Sequence, residues 1–225
     1  MPIVEFSDRG GAAIGGDHKD TYISTAQPAG NYGGNAYIRS RDLNPSFVRW
    51  SLVGHIPTNA IIISAVASFH VVTLGGANNC ACHEVLLAWG ITPTEEGTVT
   101  QNPAINGSVT YGRRIDYNGA GGDQNWTGAN FNVAVDALAA EDTQAVAALG
   151  AWVNFNIPIM TQRWVRNDAN NHGCCFIGSD ASVNDFDSQE AVNVADRPYL
   201  TVDYTVPESP LQSKIANSMG MGIGF

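Results

Sequence analysis

The feature that most constrains this chain is a series of short segments in which apolar and polar residues alternate. In the segment FVRWSLV, Val48, Trp50 and Leu52 fall on one face of an extended chain, while Arg49 and Ser51 fall on the other. Because the side chains of a β-strand point alternately to its two faces, this pattern is typical of a strand with one buried face.

Four further segments repeat the alternation along the rest of the chain. They are AIIISAVASFHVV, VLLAWGI, WVNFNIPI and YLTVDYTV, with inward sets Ile63, Ala65, Ala67, Phe69 and Val71 in the first and Leu200, Val202 and Tyr204 in the last. Glycine, proline and asparagine separate the segments, and no helical stretch recurs between them. The pattern predicts an all-β domain of two packed antiparallel sheets.

One segment departs from this pattern. VAVDALAAEDTQAVAALGAW is rich in alanine, the strongest helix former, and predicts a short helix or an irregular crossover. The surrounding stretch from Ile91 to Trp152 contains the Gly/Asn-rich sequence NGAGGDQNWTGANF. We expect it to form an elaborated loop at one end of the sandwich.

The chain is long and apolar enough for one domain. Its 225 residues, of which 44% are hydrophobic, lie within the range of a single large sandwich. We place the domain at residues 20–206, between an N-terminal arm (1–19) and a C-terminal arm (207–225). Such tails bury too little apolar surface to be ordered alone, so we expect neighbouring subunits to hold them. The C-terminal side chains expected to dock there are Ile215, Met219, Met221 and Phe225.

The net charge argues against nucleic acid as a partner. The chain carries a formal charge of -10 at pH 7 and only 14% charged residues, so a phosphate backbone is repelled on average. The N-terminus lacks the basic start and apolar run of a signal peptide, and no run elsewhere reaches membrane-spanning length. We therefore expect no membrane insertion.

The protein would reach the outside of the cell after a signal peptide has been removed, or by another route such as release of a virion by lysis.

Two groups of motifs occur in a fixed order along the chain. The first comprises DTYISTAQPAGNYGGNAYIRS, FVRWSLVGHIP and AIIISAVASFHVV, with key positions Asp20, Tyr22, Asn31, Tyr32, Gly33, Trp50, Leu52, Ile56, Pro57, Ile63, Ser64 and Ala65. The second comprises WVNFNIP, TQRWVRN, NNHGCCF, FDSQEA and RPYLTVDY. Together these motifs span about residues 20–206 and resemble, in sequence and order, those of the DNRLRE domain family.

The resemblance implies both a fold and a class of function. That family comprises jelly-roll β-sandwiches of microbial surface and secreted proteins and of phage structural proteins, and some relatives act as carbohydrate-binding modules. The expected fold is therefore all-β, an antiparallel jelly-roll-type β-sandwich with extended N- and C-terminal arms. Asn156 and Pro158 stand where the family has Asp and Thr, so the resemblance is carried over to the fold and not to a specific ligand site.

Four cysteines form two clusters. The clusters are Cys80-Ala-Cys82-His83 and His172-Gly-Cys174-Cys175. Their spacing does not match the common zinc knuckles. Three interpretations remain open: one cross-strand disulfide between the clusters, which we favour, free buried thiols, or a mixed Cys/His metal site.

The carboxylates of the chain bear on two kinds of site. Asp180, Asp185 and Asp187 in GSDASVNDFDSQE offer oxygen ligands for Ca²⁺, but this composition is equally typical of a solvated turn, which we favour. Sugar hydrolysis would require two carboxylates to face each other, from the set Glu95, Glu96, Glu141 and Glu190. The sequence contains no nucleophile elbow, metalloprotease motif or nucleotide-binding loop. We therefore expect neither an enzyme nor a cofactor.

The aromatic residues fall into two groups. Trp50, Trp89 and Trp152 lie at strand phase and are predicted to be in the core. The others lie in Gly/Asn-rich loop sequence, where they would contact a sugar or a protein partner, or cover an end of the sandwich: Tyr111, Tyr117, Trp126 and Phe131.

These features together predict a non-enzymatic structural protein of an extracellular assembly, above all a phage virion component such as a capsid decoration or tail-surface protein. Its partners would be copies of itself or other structural proteins of the particle, with host surface polysaccharide as a further contact. The alternatives are a carbohydrate-binding module of a secreted microbial protein and, third, a polysaccharide lyase or hydrolase on the same scaffold.

Overall fold

The computed structural model of the chain describes residues 2–7, 9, 18–42, 44–89, 109–115 and 123–208. Strands dominate this part of the chain, and they are β1 (Ile3–Phe6), β2 (His18–Tyr22), β3 (Tyr37–Ser40), β4 (Ser46–Trp50), β5 (Ile61–Leu74), β6 (Asn78–Val85), β7 (Ala137–Val146), β8 (Trp152–Asn156), β9 (Cys174–Gly178), β10 (Asn184–Asp187) and β11 (Tyr199–Thr205). Two short α-helices accompany them, α1 (Val133–Asp136) and α2 (Pro158–Arg166). Within the described residues, neither helix is long or apolar enough to cross a membrane.

The strands form two antiparallel sheets. The first has the order β1-β11-β5-β10-β3, and β8 also pairs with β5; the second has the order β2-β4-β9-β6-β7. The long strand β5 is the spine of the first sheet, because β11 pairs with its N-terminal part and β10 with its C-terminal end. The all-β antiparallel sandwich predicted from the sequence is therefore confirmed.

Phe69 of β5 lies at the centre of the core between the sheets. Its ring centroid is 4.5 Å from that of Phe176 in β9 and 6.1 Å from that of Trp50 in β4, so it contacts the opposite sheet at two strands. Phe155 of β8 and Phe186 of β10 pack against the same ring at 6.1 and 5.7 Å. All five side chains are inaccessible to solvent. This aromatic contact fixes how the two sheets face each other.

The predicted alternation is confirmed in β4, β5 and β11 except at Ile63, and the core placement predicted for Trp152 in β8 is wrong. Ile63 is 51% exposed, because most of β5 from Ile61 to Ser64 is accessible and this end extends beyond the covered interior. Trp152 is only partly buried, since it lies on the outer face of the first sheet, 5.3 Å from the ring of His70.

Two predicted strands end earlier than their apolar patterns suggest. In VLLAWGI, β6 ends at Val85. Trp89 lies in the irregular segment that follows, and its side chain is buried. In WVNFNIPI, β8 stops at Asn156, and α2 begins at Pro158. Proline is favoured at the first position of a helix because its missing N–H would have no partner there.

The alanine-rich segment forms a helical turn and then a strand. The turn is α1, and the ten-residue strand β7 follows it at once. Sheet pairing overrides the helical preference of alanine, because β7 pairs with β6 over most of its length. The expected helix is therefore right for the first four residues and wrong for the rest.

The N-terminal segment contributes a strand to the sandwich. β1 pairs with β11, with Val4 opposite Val202 and Phe6 opposite Leu200. Phe6 is buried in the main core, so the predicted arm of residues 1–19 is corrected for this stretch. The C-terminal arm from residue 209 onward, with Ile215, Met219, Met221 and Phe225, lies outside the described residues.

Candidate binding cleft

A second hydrophobic cluster lies on the outer face of the second sheet. Phe47 of β4 points away from the main core, and its ring is 5.6 Å from Trp89, 5.6 Å from Trp126 and 5.0 Å from Phe131. Cys175 of β9 belongs to the same cluster. The described residues between β6 and β7 therefore pack on the sheet as a third layer, and for these residues the expectation of a loop at one end of the sandwich is corrected.

Two aromatic residues expected to be exposed support this third layer instead. Trp126 is 2% exposed and Phe131 is 6% exposed. The Trp126 indole donates a 3.1 Å hydrogen bond to the carbonyl of Thr110, which satisfies the polar atom of the buried ring. Tyr117 lies outside the described residues. Tyr111, by contrast, is partly exposed.

A buried carboxylate organises the loop from Thr127 to Asn132. Asp136 is inaccessible, and its two oxygens accept 2.8 Å hydrogen bonds from the backbone N–H groups of Thr127 and Asn132. The Asn132 side chain in turn accepts from the N–H of Ala134 and caps α1. The two ends of the loop are thereby tied to one side chain, so the loop has a defined shape.

This loop borders an open cleft of about 460 Å³ on the outer face of the second sheet. Tyr111 and Phe131 form an aromatic wall, and the Phe131 N–H donates a 2.9 Å hydrogen bond to the Tyr111 carbonyl. The remaining described lining residues are Asp42, Pro45, Gly128, Ala129, Asn130, Asn132, Val133, Val135 and Ile177. The cleft lies within the size range of ligand pockets.

The lining combines apolar surface with a few polar groups. The side chains of Asn130 and Asn132 each carry an amide donor and acceptor, and both residues are exposed. Asp42 supplies the one carboxylate among the described lining residues. A site of this composition is suited to hold a neutral polyhydroxylated ligand, and its described lining contains one carboxylate where acid/base hydrolysis of a sugar uses two.

Of the loop aromatics named from the sequence, Tyr111 and the buried Phe131 line the cleft. The sequence does not predict that Asp42, Asn130 and Asn132 lie beside them. One available signal was the asparagine immediately before Val133, a typical helix N-cap. Asp42 lies in the turn between β3 and β4, where its N–H donates a 3.0 Å hydrogen bond to the carbonyl of Asp180, a long-range contact that no local pattern reveals.

The disulfide favoured from the sequence is not formed, because all four cysteines are free and buried. Cys82 lies opposite Phe176, two positions from Cys174 in the paired strand. Such diagonal neighbours have Cα atoms roughly 7–8 Å apart, which exceeds the usual span of a disulfide. Burial raises the pKa of the Cys80 thiol to about 12 and that of Cys175 well above its ordinary value.

The three aspartates weighed as calcium ligands do not converge. Asp180 accepts a backbone hydrogen bond within its own turn, which agrees with the turn interpretation. Asp185 pairs with Arg39 at 2.8 Å, while Asp187 lies 2.7 Å from the Nδ1 atom of His70. Each carboxylate thus has a different partner.

Of the acidic residues considered for sugar hydrolysis, the two that the structure describes, Glu141 and Glu190, do not line the cleft. Glu141 accepts hydrogen bonds of 2.6 and 2.8 Å from the N–H groups of Ile159 and Met160, and so caps the N-terminus of α2. Glu190 does not line the cleft, and Glu95 and Glu96 lie outside the described residues.

No protein-family model matches the sequence, and no curated protein matches it.

Proposed function

We propose that this protein is a non-enzymatic structural protein of an extracellular assembly, such as a phage virion, and that it contacts surface glycans through the cleft of its third layer. The observation that carries the proposal is the cleft of about 460 Å³, with the Tyr111 side chain at its wall and two exposed asparagines at its rim. Its location is accordingly a particle surface or a cell surface.

The lining matches the chemistry of a sugar ring. A pyranose presents C–H groups on its faces, which pack against aromatic and aliphatic surface such as Tyr111, Val135 and Ile177. Its hydroxyl groups donate and accept hydrogen bonds, and the amides of Asn130 and Asn132 offer both functions. A low content of charged residues fits recognition of a neutral ligand, since a neutral sugar offers no partner for ion pairs.

The absence of an acid/base pair from the described lining supports binding without turnover. Glycoside hydrolysis requires two carboxyl groups about 5–10 Å apart across the scissile bond. Asp42 alone offers a carboxylate among the described lining residues.

Assembly is proposed to proceed through the C-terminal arm. The sandwich would act as a rigid body, with the C-terminal arm of residues 207–225 docking on a neighbour through apolar side chains. Deletion of residues 207–225 is expected to lower the molecular mass in solution to that of a monomer while leaving the thermal unfolding of the sandwich unchanged. An assembly of unchanged mass after the deletion would contradict this mode.

A second candidate function uses the same cleft. A carbohydrate-binding module of a secreted microbial protein would bind the glycan identically but would remain a monomer in solution. The solution mass of the full chain therefore separates the two, because only the structural protein is expected to assemble.

The glycan proposal is tested by affinity electrophoresis in gels containing microbial surface polysaccharides. Retardation of the wild-type protein is expected in at least one gel, with loss of retardation for Tyr111→Ala. Tyr37→Ala, which removes a partly buried tyrosine from the other sheet, is the matched control and is expected to behave like wild type. Release of reducing ends from the retarding polysaccharide would instead support the lyase or hydrolase alternative.

A further inference from the structure

Three potential metal ligands from three separate elements meet on the outer face of the first sheet. They are His70 of β5, Asp187 of β10, and Asp196 in the 3-10 turn Val194–Asp196 that precedes β11. One ligand atom from each lies within 4.8 Å of the other two. All three residues are partly buried and still reach solvent.

The spacing is close to that of a coordination shell. Ligand atoms about 2.0–2.2 Å from a zinc ion are roughly 3–3.5 Å apart when they are adjacent around it. The Nδ1 atom of His70 and the Oδ2 atom of Asp187 are 2.7 Å apart, so a cation between them requires them to separate by less than 1 Å, a shift well within side-chain motion. The site therefore needs adjustment of side chains and no movement of the sheet.

The local charge favours a cation. Two carboxylates face each other in a partly buried position, and no arginine or lysine of the described chain forms an ion pair with either of them. A divalent cation would compensate both carboxylates.

Neighbouring groups fix the ligands in place. The Asn193 amide donates a 2.6 Å hydrogen bond to one oxygen of Asp196, which leaves its other oxygen available. The Trp152 ring lies 5.3 Å from the His70 ring and restricts its orientation. Outer-shell contacts of this kind commonly orient the ligands of metal sites.

The simpler interpretation is a His–Asp hydrogen bond that stabilises the sheet. It explains the contact of His70 with Asp187, and the Asn193 amide gives Asp196 a local partner, but the carboxylate of Asp196 still adds a second negative charge to the same partly buried space. A cation binds all three and links β5, β10 and the turn before β11.

We propose that His70, Asp187 and Asp196 bind a divalent transition-metal ion of the zinc or manganese type. An imidazole ligand favours zinc, and carboxylates accommodate zinc and manganese alike. Three protein ligands leave at least one coordination position for water or an oxygen of a ligand, beside the partly exposed Trp152. The site is separate from the third-layer cleft and does not depend on its function.

The experiment is calorimetric titration of the chelator-treated full chain with ZnCl₂ and, separately, with MnCl₂. One saturable site per chain is expected for at least one of these ions, together with a rise in the unfolding temperature that grows with ion concentration. Asp196→Asn and Asp187→Asn are each expected to weaken binding at least tenfold. Asp185→Asn, which removes a carboxylate from the same strand two residues away, is expected to retain wild-type affinity.

Three outcomes would overturn the proposal. The first is the absence of saturable binding of either ion by the wild-type chain. The second is wild-type affinity in both Asp187→Asn and Asp196→Asn, as would result from ion uptake by the cysteines. The third is an equal loss of affinity in Asp185→Asn. Near-ultraviolet circular dichroism of each metal-free variant establishes whether it is folded. Should a variant be unfolded, manganese-dependent water proton relaxation of the wild-type chain tests whether the protein binds the ion.

Discussion

The indole ring of Trp126 stacks on the ring of Phe47, with the ring centroids 5.6 Å apart and the planes inclined by 23°. This contact joins the described part of the connection between β6 and β7 to the outer face of the second sheet. That part forms a layer with its own core, and it borders the cleft.

Substitution of Trp126 by alanine is expected to destabilise the protein by about 3–5 kcal/mol, because it removes a large buried ring from the second core. Chemical denaturation followed by tyrosine fluorescence and circular dichroism measures the change. Tyr111→Ala is the control and is expected to cost less than about 1.5 kcal/mol, since Tyr111 is partly exposed. Equal stability of Trp126→Ala and wild type would show that the third layer is not packed on the sheet.

Asp136→Asn is expected to loosen the loop that borders the cleft. An asparagine retains one acceptor oxygen, so one of the two backbone N–H groups at Thr127 and Asn132 loses its partner, at a cost of about 1–3 kcal/mol. Hydrogen exchange is expected to accelerate at the amides of residues 127–132. Asp42→Asn, at an exposed position of the same cleft, serves as the control and is expected to leave exchange unchanged.

The cysteines are expected to be unreactive in the folded protein. Burial raises the pKa of the Cys80 thiol to about 12, and a buried thiol is also inaccessible to reagents. Iodoacetamide at pH 8 is expected to label none of the four in the native state and all four in denaturant under non-reducing conditions. An intact mass 2 Da below that of the reduced chain, as a disulfide produces, would contradict the free-thiol state.

How much of this structure is predictable from sequence differs between the core and the site. Phe69 and Trp50 lie in alternating segments, and their burial follows from local periodicity. The outward orientation of Phe47 also follows from the alternation of side chains along β4. The rings that cover it, however, belong to Trp89, Trp126 and Phe131, which lie far along the chain. Long-range packing of that kind has no local signature.

The same distinction explains the errors in strand and site assignment. Trp152 follows the strand pattern, but the pattern does not say which face is inward at an edge strand. The alanine-rich stretch becomes β7 because β6 offers a pairing partner, and propensity alone favours a helix. His70 is more than a hundred residues away in the chain from Asp187 and Asp196, so only the pairing of β5 with β10 brings it to them.

Glu190 is expected to make stability depend on pH. Burial raises the pKa of Glu190 to about 7, partly offset by hydrogen bonds that include the Ser188 hydroxyl. The ordinary pKa of a glutamate is 4.5. Between about pH 4.5 and 7 the folded state therefore binds more protons at Glu190 than the unfolded state does. The contribution of Glu190 to the free energy of unfolding consequently falls as the pH rises through this range. Glu190→Gln is expected to reduce this fall and to be more stable than wild type at pH 8, as measured by urea denaturation at pH 5 and pH 8. An unchanged dependence in the variant would exclude Glu190 as its source.

The most direct measurement is calorimetric titration of the full chain with oligosaccharides from a polysaccharide that retards it in affinity electrophoresis. Saturable binding at one site per chain is expected, weakened at least tenfold by Tyr111→Ala and unaffected by Tyr37→Ala, with the oligosaccharide recovered intact. Undiminished binding by Tyr111→Ala, or cleavage of the oligosaccharide during the titration, would contradict a non-catalytic glycan site in the third-layer cleft.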